Sequence, residues 1–317
     1  MKHNIKITLV LLIMFFATQL IGLFVMNAYS PQNQLVYNQT SSQYENVSIA
    51  QELPYGLQPP EQEASFNLLN ILISMVFAIL LILLLMKINA RLFLRIWFFL
   101  VVIIAISVTL NSVIFEFIKY SPWIVLLLSV PLAYVKIFRR NILVHNITEL
   151  LIYPGIAVIF ASMLNLWAVI VLLLLISVYD IYAVWHAKFM QKMAKFQINE
   201  LKIFAGFFIP YLNKKQRAEL KQSRSQKFSK TKMKNKQMKV SLAILGGGDV
   251  VFPLILAGVV LKIWGIIPAI IISIFATIAL LILFIIARKG KFYPAMPFIT
   301  AGCLVGLFFS YLASLLL

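Results

Sequence analysis

Apolar runs of about 20 residues recur along nearly the whole chain, and that length is what a helix needs to cross the hydrocarbon core of a bilayer. Of the 317 residues, 62% are hydrophobic and 12% are charged, a balance far from that of soluble proteins. Runs of this length and number cannot all be buried inside one soluble core. The sequence therefore predicts an all-α, polytopic membrane protein.

Nine such runs are predicted to be transmembrane helices, and polar inserts divide the chain into three parts. Residues 1–187 form a six-span part with a polar outer loop at 29–64, residues 188–239 form a basic loop, and residues 240–317 form a three-span part. The first run is longer than a signal-peptide core, so we expect it to be retained. The predicted spans are 5–27, 65–87, 93–116, 121–138, 142–163, 165–186, 240–262, 265–287 and 295–316.

The placement of lysine and arginine predicts the orientation of these spans, because positively charged short loops stay on the cytoplasmic side. If the N-terminus is cytoplasmic, 26 of the 28 basic residues fall in cytoplasmic segments, and only Lys119 and Lys262 fall outside. The loop at 188–239 is then cytoplasmic and the C-terminus lies outside. The net charge of +18 follows from this topology, so no nucleic-acid partner is expected. The apolar stretch 203–212 within the basic loop is predicted to lie in the membrane interface.

The chain contains only two aspartates, Asp180 and Asp249, and both lie within predicted spans. An ionisable group in hydrocarbon costs several kcal/mol unless it is paired or hydrated, which indicates a functional site. The alternative is a polar residue that holds helices together. Counted along helices from Lys188 and Lys239, the two residues have similar depths, so antiparallel spans could bring their carboxylates together. Two adjacent carboxylates share a proton and offer one acid and one base to a water molecule.

Three glycines, Gly246, Gly247 and Gly248, directly precede Asp249, and Pro253 follows it. Glycine weakens helical order, and Pro253 cannot donate the backbone hydrogen bond that the carbonyl of Asp249 would accept. We therefore expect irregular backbone at Asp249, which a membrane tolerates only where protein or water surrounds it. We also expect a larger side chain at Gly248 to crowd the backbone beside Asp249.

Three segments follow one another in the last spans: Tyr179-Asp180, Gly246-Gly247-Gly248-Asp249 and Pro294-Ala295-Met296-Pro297. They resemble the YD, GxGD and PAL motifs of the presenilin and signal peptide peptidase family, in the order and spacing of that family. The orientation and the two prolines of the third motif resemble presenilin-like members, of the prokaryotic or archaeal type. The resemblance implies a presenilin-like bundle and an intramembrane aspartic endopeptidase that hydrolyses peptide bonds within transmembrane segments, with Asp180 and Asp249 as catalytic residues. It implies site-shaping or substrate-binding roles for Tyr179, Gly246, Gly247, Gly248, Pro294, Ala295 and Met296.

One position departs from the family pattern, since Met296 stands where the family has leucine. The two side chains have similar volumes, and such exchanges usually cost little. The substrate contact that the resemblance implies is therefore expected to survive the change.

Two other functions remain open at this point. A prepilin-type GxGD peptidase would also use two aspartates but would cut near the cytoplasmic boundary, and a proton-coupled transporter or cation channel would bind ions at them. The lack of internal repeats and the scarcity of other buried charges favour the intramembrane protease. No cofactor or metal is expected, because the histidines are scattered. The expected partners are transmembrane protein substrates and the lipid bilayer; a homo-oligomer and additional subunits stay open.

Overall fold

A computed structural model gives the fold of this chain. It describes residues 5–30, 32–38, 43–49, 53–57, 64–88, 90–114, 121–139, 141–185, 205–211, 241–287 and 293–316. Within these ranges lie nine α-helices, four strands and one 3₁₀ turn at Pro54–Gly56. The helices are α1 (Ile5–Ala28), α2 (Ala64–Lys87), α3 (Arg91–Ile114), α4 (Ser121–Phe138), α5 (Ile142–Met163), α6 (Leu166–Trp185), α7 (Gly247–Trp264), α8 (Ile266–Ile286) and α9 (Met296–Leu316).

The helices correspond one by one to the predicted spans, so the predicted class, an all-α polytopic membrane protein, is confirmed. Over the described residues, seven of them are long and apolar enough to cross a membrane, and α2 and α4 contain shorter apolar stretches at Leu68–Ala78 and Pro122–Phe138. Most boundaries agree within a few residues because the length of an apolar run decides them. Pro131 and Pro154 lie inside α4 and α5, as the prediction allowed.

Helix α7 forms the centre of the bundle and is surrounded by α1, α5, α6, α8 and α9. Its side chains from Val250 to Leu261 are buried nearly all the way round, with Phe252 as the partly buried exception. Helix α1 packs closely against α7 because each helix has a glycine at the contact. Gly22 of α1 faces Leu254, and Gly258 of α7 faces Met26. A Cβ atom at either glycine would overlap the opposing side chain. Such small residues let membrane helices approach one another.

Two antiparallel strand pairs accompany the helices. One consists of β1 (Gln32–Asn38) and β2 (Gln43–Ile49), in the predicted outer loop. The other pairs β3 (Gly206–Tyr211) with β4 (Ser241–Gly246), and we call it the inner hairpin. The inner hairpin packs against α1, α5 and α7.

The inner hairpin corrects two predictions. The seventh helix was predicted to begin at residue 240, but residues 241–246 are extended and the helix begins at Gly247. The stretch 203–212 was predicted to lie in the membrane interface, whereas its residues 206–211 form a strand with Phe207 fully buried. Both segments are short apolar runs, whose periodicity does not separate a strand from a helix.

Candidate active site

Asp180 lies near the C-terminal end of α6 and is 6% exposed. Its carboxylate accepts a hydrogen bond of 3.0 Å from the backbone N–H of Met296 and another from the N–H of Ala295. These donors stand at the beginning of α9, where helical N–H groups have no partner within the helix. The partial positive charge of a helix N-terminus also favours an anion there. The start of α9 thus holds and stabilises the charged form of Asp180.

Asp249 is the third residue of α7, and its carboxylate accepts a hydrogen bond from the N–H of Gly246, the residue that caps this helix. A side chain that reaches back from the third position to the cap residue is one half of a capping box. The prediction of irregular backbone at Asp249 is wrong, because Asp249 is helical and the change from strand to helix lies at Gly246. This change also means that the depth of Asp249, counted along a helix from Lys239, was wrong, because the intervening residues include a strand.

The two aspartates stand on neighbouring helices. Helices α6 and α7, which carry them, pack against each other, and both contact α9. Among the described residues, neither carboxylate takes part in an ion pair. Each is instead held by backbone N–H groups at a helix N-terminus, an arrangement that orients a carboxylate without a neutralising cation.

The other residues singled out from the sequence surround this pair. Tyr179 is half-buried beside Asp180, and Pro294 is buried just ahead of α9. One turn before Asp180, the hydroxyl of Ser177 donates a 2.7 Å hydrogen bond to the hydroxyl of Thr300 on α9. This bond fixes α6 to α9 close to the point where the N–H groups of α9 meet Asp180.

Of the glycines just before Asp249, Gly247 has less space for a side chain than Gly248. A Cβ atom on Gly247 would come within 2.9 Å of the Tyr153 ring and hydroxyl, whereas one on Gly248 would meet only Phe252, at 3.5 Å. The first distance requires a shift of the ring, and the second is ordinary van der Waals contact. Gly247 is therefore the glycine that permits close packing, and the crowding by a larger side chain at Gly248 stays a prediction, because it concerns atoms beyond the Cβ.

Side chains of α5 occupy the outer edge of β3, and sequence reasoning did not find this contact. Asn146 donates to the carbonyl of Phe208 at 2.8 Å and accepts from its N–H at 3.0 Å. The ring of His145 bonds the carbonyl of Gly206 at 2.8 Å, and Glu149 accepts from the N–H of Gly206 at 3.4 Å. We call Asn146, His145 and Glu149 the α5 clamp.

Glu149 is also paired with Lys136 of α4, and both side chains are almost completely buried. The expected scarcity of other buried charges is therefore wrong. The signal was present in the sequence, because Glu149 is an ionisable residue within the predicted span 142–163, and such residues mark functional or structural sites. Over the described residues there is no cluster of three or more His, Cys, Asp or Glu side chains that could hold a metal ion.

The α5 clamp occupies the outer edge of β3, so the remaining edge of the inner hairpin is that of β4. In an antiparallel pair, successive residues direct their backbone groups alternately toward the partner and away from it. Gly206 and Phe208 direct theirs to α5, so the residues opposite them, Gly246 and Ile244, direct theirs to the far edge of β4. There the N–H of Gly246 already binds Asp249. Among the described residues no further strand pairs with this edge of β4, and we call it the open edge of β4; it leads to Asp249.

A family model described as signal-peptide peptidase, presenilin aspartyl protease matches residues 46–316. No curated protein matches the sequence. Two solved structures of a presenilin family intramembrane aspartate protease have a similar fold. The one in the C222 space group has a TM-score of 0.56 at 16% identity and covers 95% of both chains. The one in the P2 space group has a TM-score of 0.57 at 17% identity and covers 96% of both chains.

Proposed function

This chain belongs to the signal-peptide peptidase and presenilin family of aspartyl proteases, and from that premise we propose that Asp180 and Asp249 are its catalytic pair. Membership makes the chain an intramembrane aspartyl protease whose substrates are transmembrane segments in the bilayer. It favours this function over a prepilin-type peptidase and over an ion-coupled transporter or channel. The observation that carries the residue assignment is that the neighbouring helices α6 and α7 each bring a carboxylate to the N-terminus of a helix, where backbone N–H groups hold it and, among the described residues, no cation pairs with it.

The proposed reaction uses the pair as one unit. One carboxylate, as base, takes a proton from a water molecule whose oxygen attacks the scissile carbonyl carbon. The other, as acid, protonates the carbonyl oxygen, and the tetrahedral intermediate then collapses as the leaving nitrogen receives a proton. Breaking the C–N bond yields a carboxylic acid and an amine. Because the pair shares its protons, acid and base roles belong to the unit and not to one residue.

The open edge of β4 is the proposed binding site for the substrate backbone. Peptide carbonyls in an intact helix are hydrogen bonded and shielded, so a substrate helix must become extended before water can attack it. An extended segment can add to a sheet edge through main-chain hydrogen bonds. The α5 clamp already occupies the outer edge of β3, which leaves β4. A segment bound there is carried past Gly246 to Asp249.

The remaining expected residues support this site through backbone and packing. Ala295 and Met296 contribute their N–H groups to Asp180, and Pro294 leads the chain into α9. Tyr179 and the glycines Gly246 to Gly248 shape the space on either side of the pair. The role of Met296 therefore depends on its backbone, which explains why methionine can replace the leucine of the family.

For the orientation, we propose that the N-terminus and the basic loop at 188–239 are cytoplasmic and that the C-terminus is outside. The support is the distribution of basic residues, 26 of 28 of which then lie on the cytoplasmic side. Substrates would enter with their N-termini outside, as the resemblance to presenilin-like members implies.

The test is cleavage by the purified protein in detergent. We expect it to hydrolyse a synthetic single-span peptide without added partner, and a peptide mimic with a hydroxyl in place of the scissile carbonyl to inhibit it. Asp180→Asn and Asp249→Asn should each lower kcat on the order of 10³-fold or more, since they remove the acid–base function. Both variants should unfold like the wild type, because the amide oxygen still accepts the backbone hydrogen bonds. Wild-type cleavage by either variant would refute the assignment.

A further inference from the structure

The α5 clamp makes the same kind of contact with β3 that a neighbouring strand would make. The amide of Asn146 both donates to and accepts from the backbone of Phe208, which is the exchange between directly opposed residues of an antiparallel pair. Two residues earlier, His145 and Glu149 bind the two backbone groups of Gly206. Two residues later, Pro210 has no N–H to offer. Side chains of a helix thus complete this edge of the sheet.

The clamp residues are arranged on one face of α5. His145, Glu149 and Tyr153 follow one another at intervals of four residues, and Asn146 lies three residues before Glu149, so all four face the inner hairpin. The ring of His145 also stacks on that of Phe208, with centroids 4.8 Å apart, and the ring of Tyr153 meets that of Phe207 edge-on at 5.5 Å. The contact is therefore built from both hydrogen bonds and ring packing.

The same face reaches the aspartate pair. The Tyr153 ring packs on Gly247, which lies two residues before Asp249. Lys136 of α4 pairs with Glu149 and so compensates the charge that the clamp brings into the apolar interior. A shift of α5 relative to β3 would also move β4. It would thereby move Gly246, whose N–H binds the carboxylate of Asp249.

We propose that Asn146 is a positioning residue, which through the α5 clamp holds β3 and β4 in the register that receives the substrate strand. This inference rests on the proposed function, because it assumes that the open edge of β4 binds substrate. The clamp has two consequences there. It blocks the edge of β3, so that an extended segment can add only to β4, and it fixes β4 against α7, so that the added segment arrives at the pair of aspartates.

The experiment measures kcat and KM for a synthetic single-span peptide with full-length Asn146→Ala protein in detergent. We expect KM to rise roughly tenfold, because the variant loses the two neutral hydrogen bonds to Phe208 and part of their free energy affects substrate binding. We expect kcat to change less than about threefold, because the aspartates keep their own backbone donors. Inhibition by a short hydroxyl-bearing dipeptide mimic, which has no strand to add to β4, should be nearly unchanged. Hydrogen exchange should become faster at 206–211 and 241–246.

Asn141→Ala is the matched control. Asn141 is the asparagine that caps α5, and its side-chain hydrogen bonds among the described residues go to the N–H groups of Leu143 and Val144. Loss of this cap should lower stability without raising KM. Asn146→Leu is the second variant, since it fills the same volume without an amide and should raise KM in the same way if Asn146→Ala does not fold.

The possible results distinguish a positioning role of Asn146 from a general loss of stability. Wild-type KM and wild-type exchange in both Asn146 variants would overturn the positioning role, and so would an equal rise of KM in Asn141→Ala, which would indicate a general loss of stability. Neither result bears on the catalytic pair, which is tested by the aspartate variants with the wild-type clamp. Full activity of an aspartate variant would instead remove the proposed function, whatever the Asn146 variants do.

Discussion

Glu149 and the pair Asp180 and Asp249 are all carboxylates enclosed by apolar helices, but their surroundings differ. Glu149 is 1% exposed, is paired with Lys136 and lies within reach of His145. Asp180 and Asp249 have no ion-pair partner among the described residues and are held by backbone N–H groups instead. One site therefore carries its own counter-charge, and the other does not.

Burial alone therefore does not show whether a carboxylate is paired with a cation or held by backbone groups. Glu149 has a buried cationic partner, and removing one member of such a pair is strongly destabilising, so Glu149 is suited to hold structure. A carboxylate that is oriented but not neutralised keeps its proton exchange available, which acid–base catalysis requires. On the proposed function, the same residue chemistry would serve stability at Glu149 and reactivity at the two aspartates. Three changes test this contrast.

The largest effect is expected at the paired site. Glu149→Ala leaves Lys136 buried without a partner, and breaking a buried pair in this way costs about 3–5 kcal/mol of unfolding free energy. The double variant Lys136→Met with Glu149→Leu should recover most of that loss, since replacing both charges by apolar groups is often neutral. Denaturant unfolding in detergent measures both. If Glu149→Ala were as stable as the wild type, the ion pair would not be the structural element that we describe.

The next effect concerns the backbone N–H of Met296. Proline is accepted at the first position of a helix but has no N–H, so Met296→Pro should keep α9 and remove one hydrogen bond to Asp180. A hydrogen bond to a charged group contributes about 1.5–3 kcal/mol, which predicts a fall in kcat on the order of 10- to 100-fold. Met296→Leu is the control and should cost less, because it keeps the N–H. Equal losses in the two variants would instead place the role in the side chain.

The smallest effect compares two glycines next to Asp249. Gly247→Ala forces the packed Tyr153 ring to move and should lower the unfolding free energy by about 1–3 kcal/mol, with a several-fold loss of kcat/KM. Gly248→Ala meets only ordinary contact with Phe252 and should be the milder change. Unfolding and kinetics of both variants check this order. A reversed order would mean that the crowding lies where the sequence alone suggested, at Gly248.

The helices of this fold could be predicted from the sequence, since the length of an apolar run and the position of its charges decide where a helix can cross a bilayer. The aspartates were also visible, as the two aspartates of the chain inside apolar spans. Ala295 and Met296, which lie beside Asp180 in the structure, belong to the segment that resembles the PAL motif. These features depend on local composition, and local composition is what a sequence shows directly.

The inner hairpin and the α5 clamp could not be predicted in the same way. The glycines 246–248 mark a local irregularity, but the short apolar run 241–245 before them does not show whether it is a strand or the first turn of α7. The partner strand lies beyond the segment 212–240, and pairing over such a separation leaves no local signal. Asn146 and Glu149 are polar residues within a predicted span, but their contacts with Phe208 and Gly206 depend on that pairing.

The central claim is that Asp180 and Asp249 act as one catalytic unit. The most direct test is kcat for cleavage of one single-span peptide by the wild type, Asp180→Asn, Asp249→Asn and the double variant. Residues that act as a unit are strongly non-additive, so we predict that all three variants lose the same factor, on the order of 10³ or more. A double variant whose loss is the product of two smaller losses, or a single variant that keeps most of the activity, would contradict the claim.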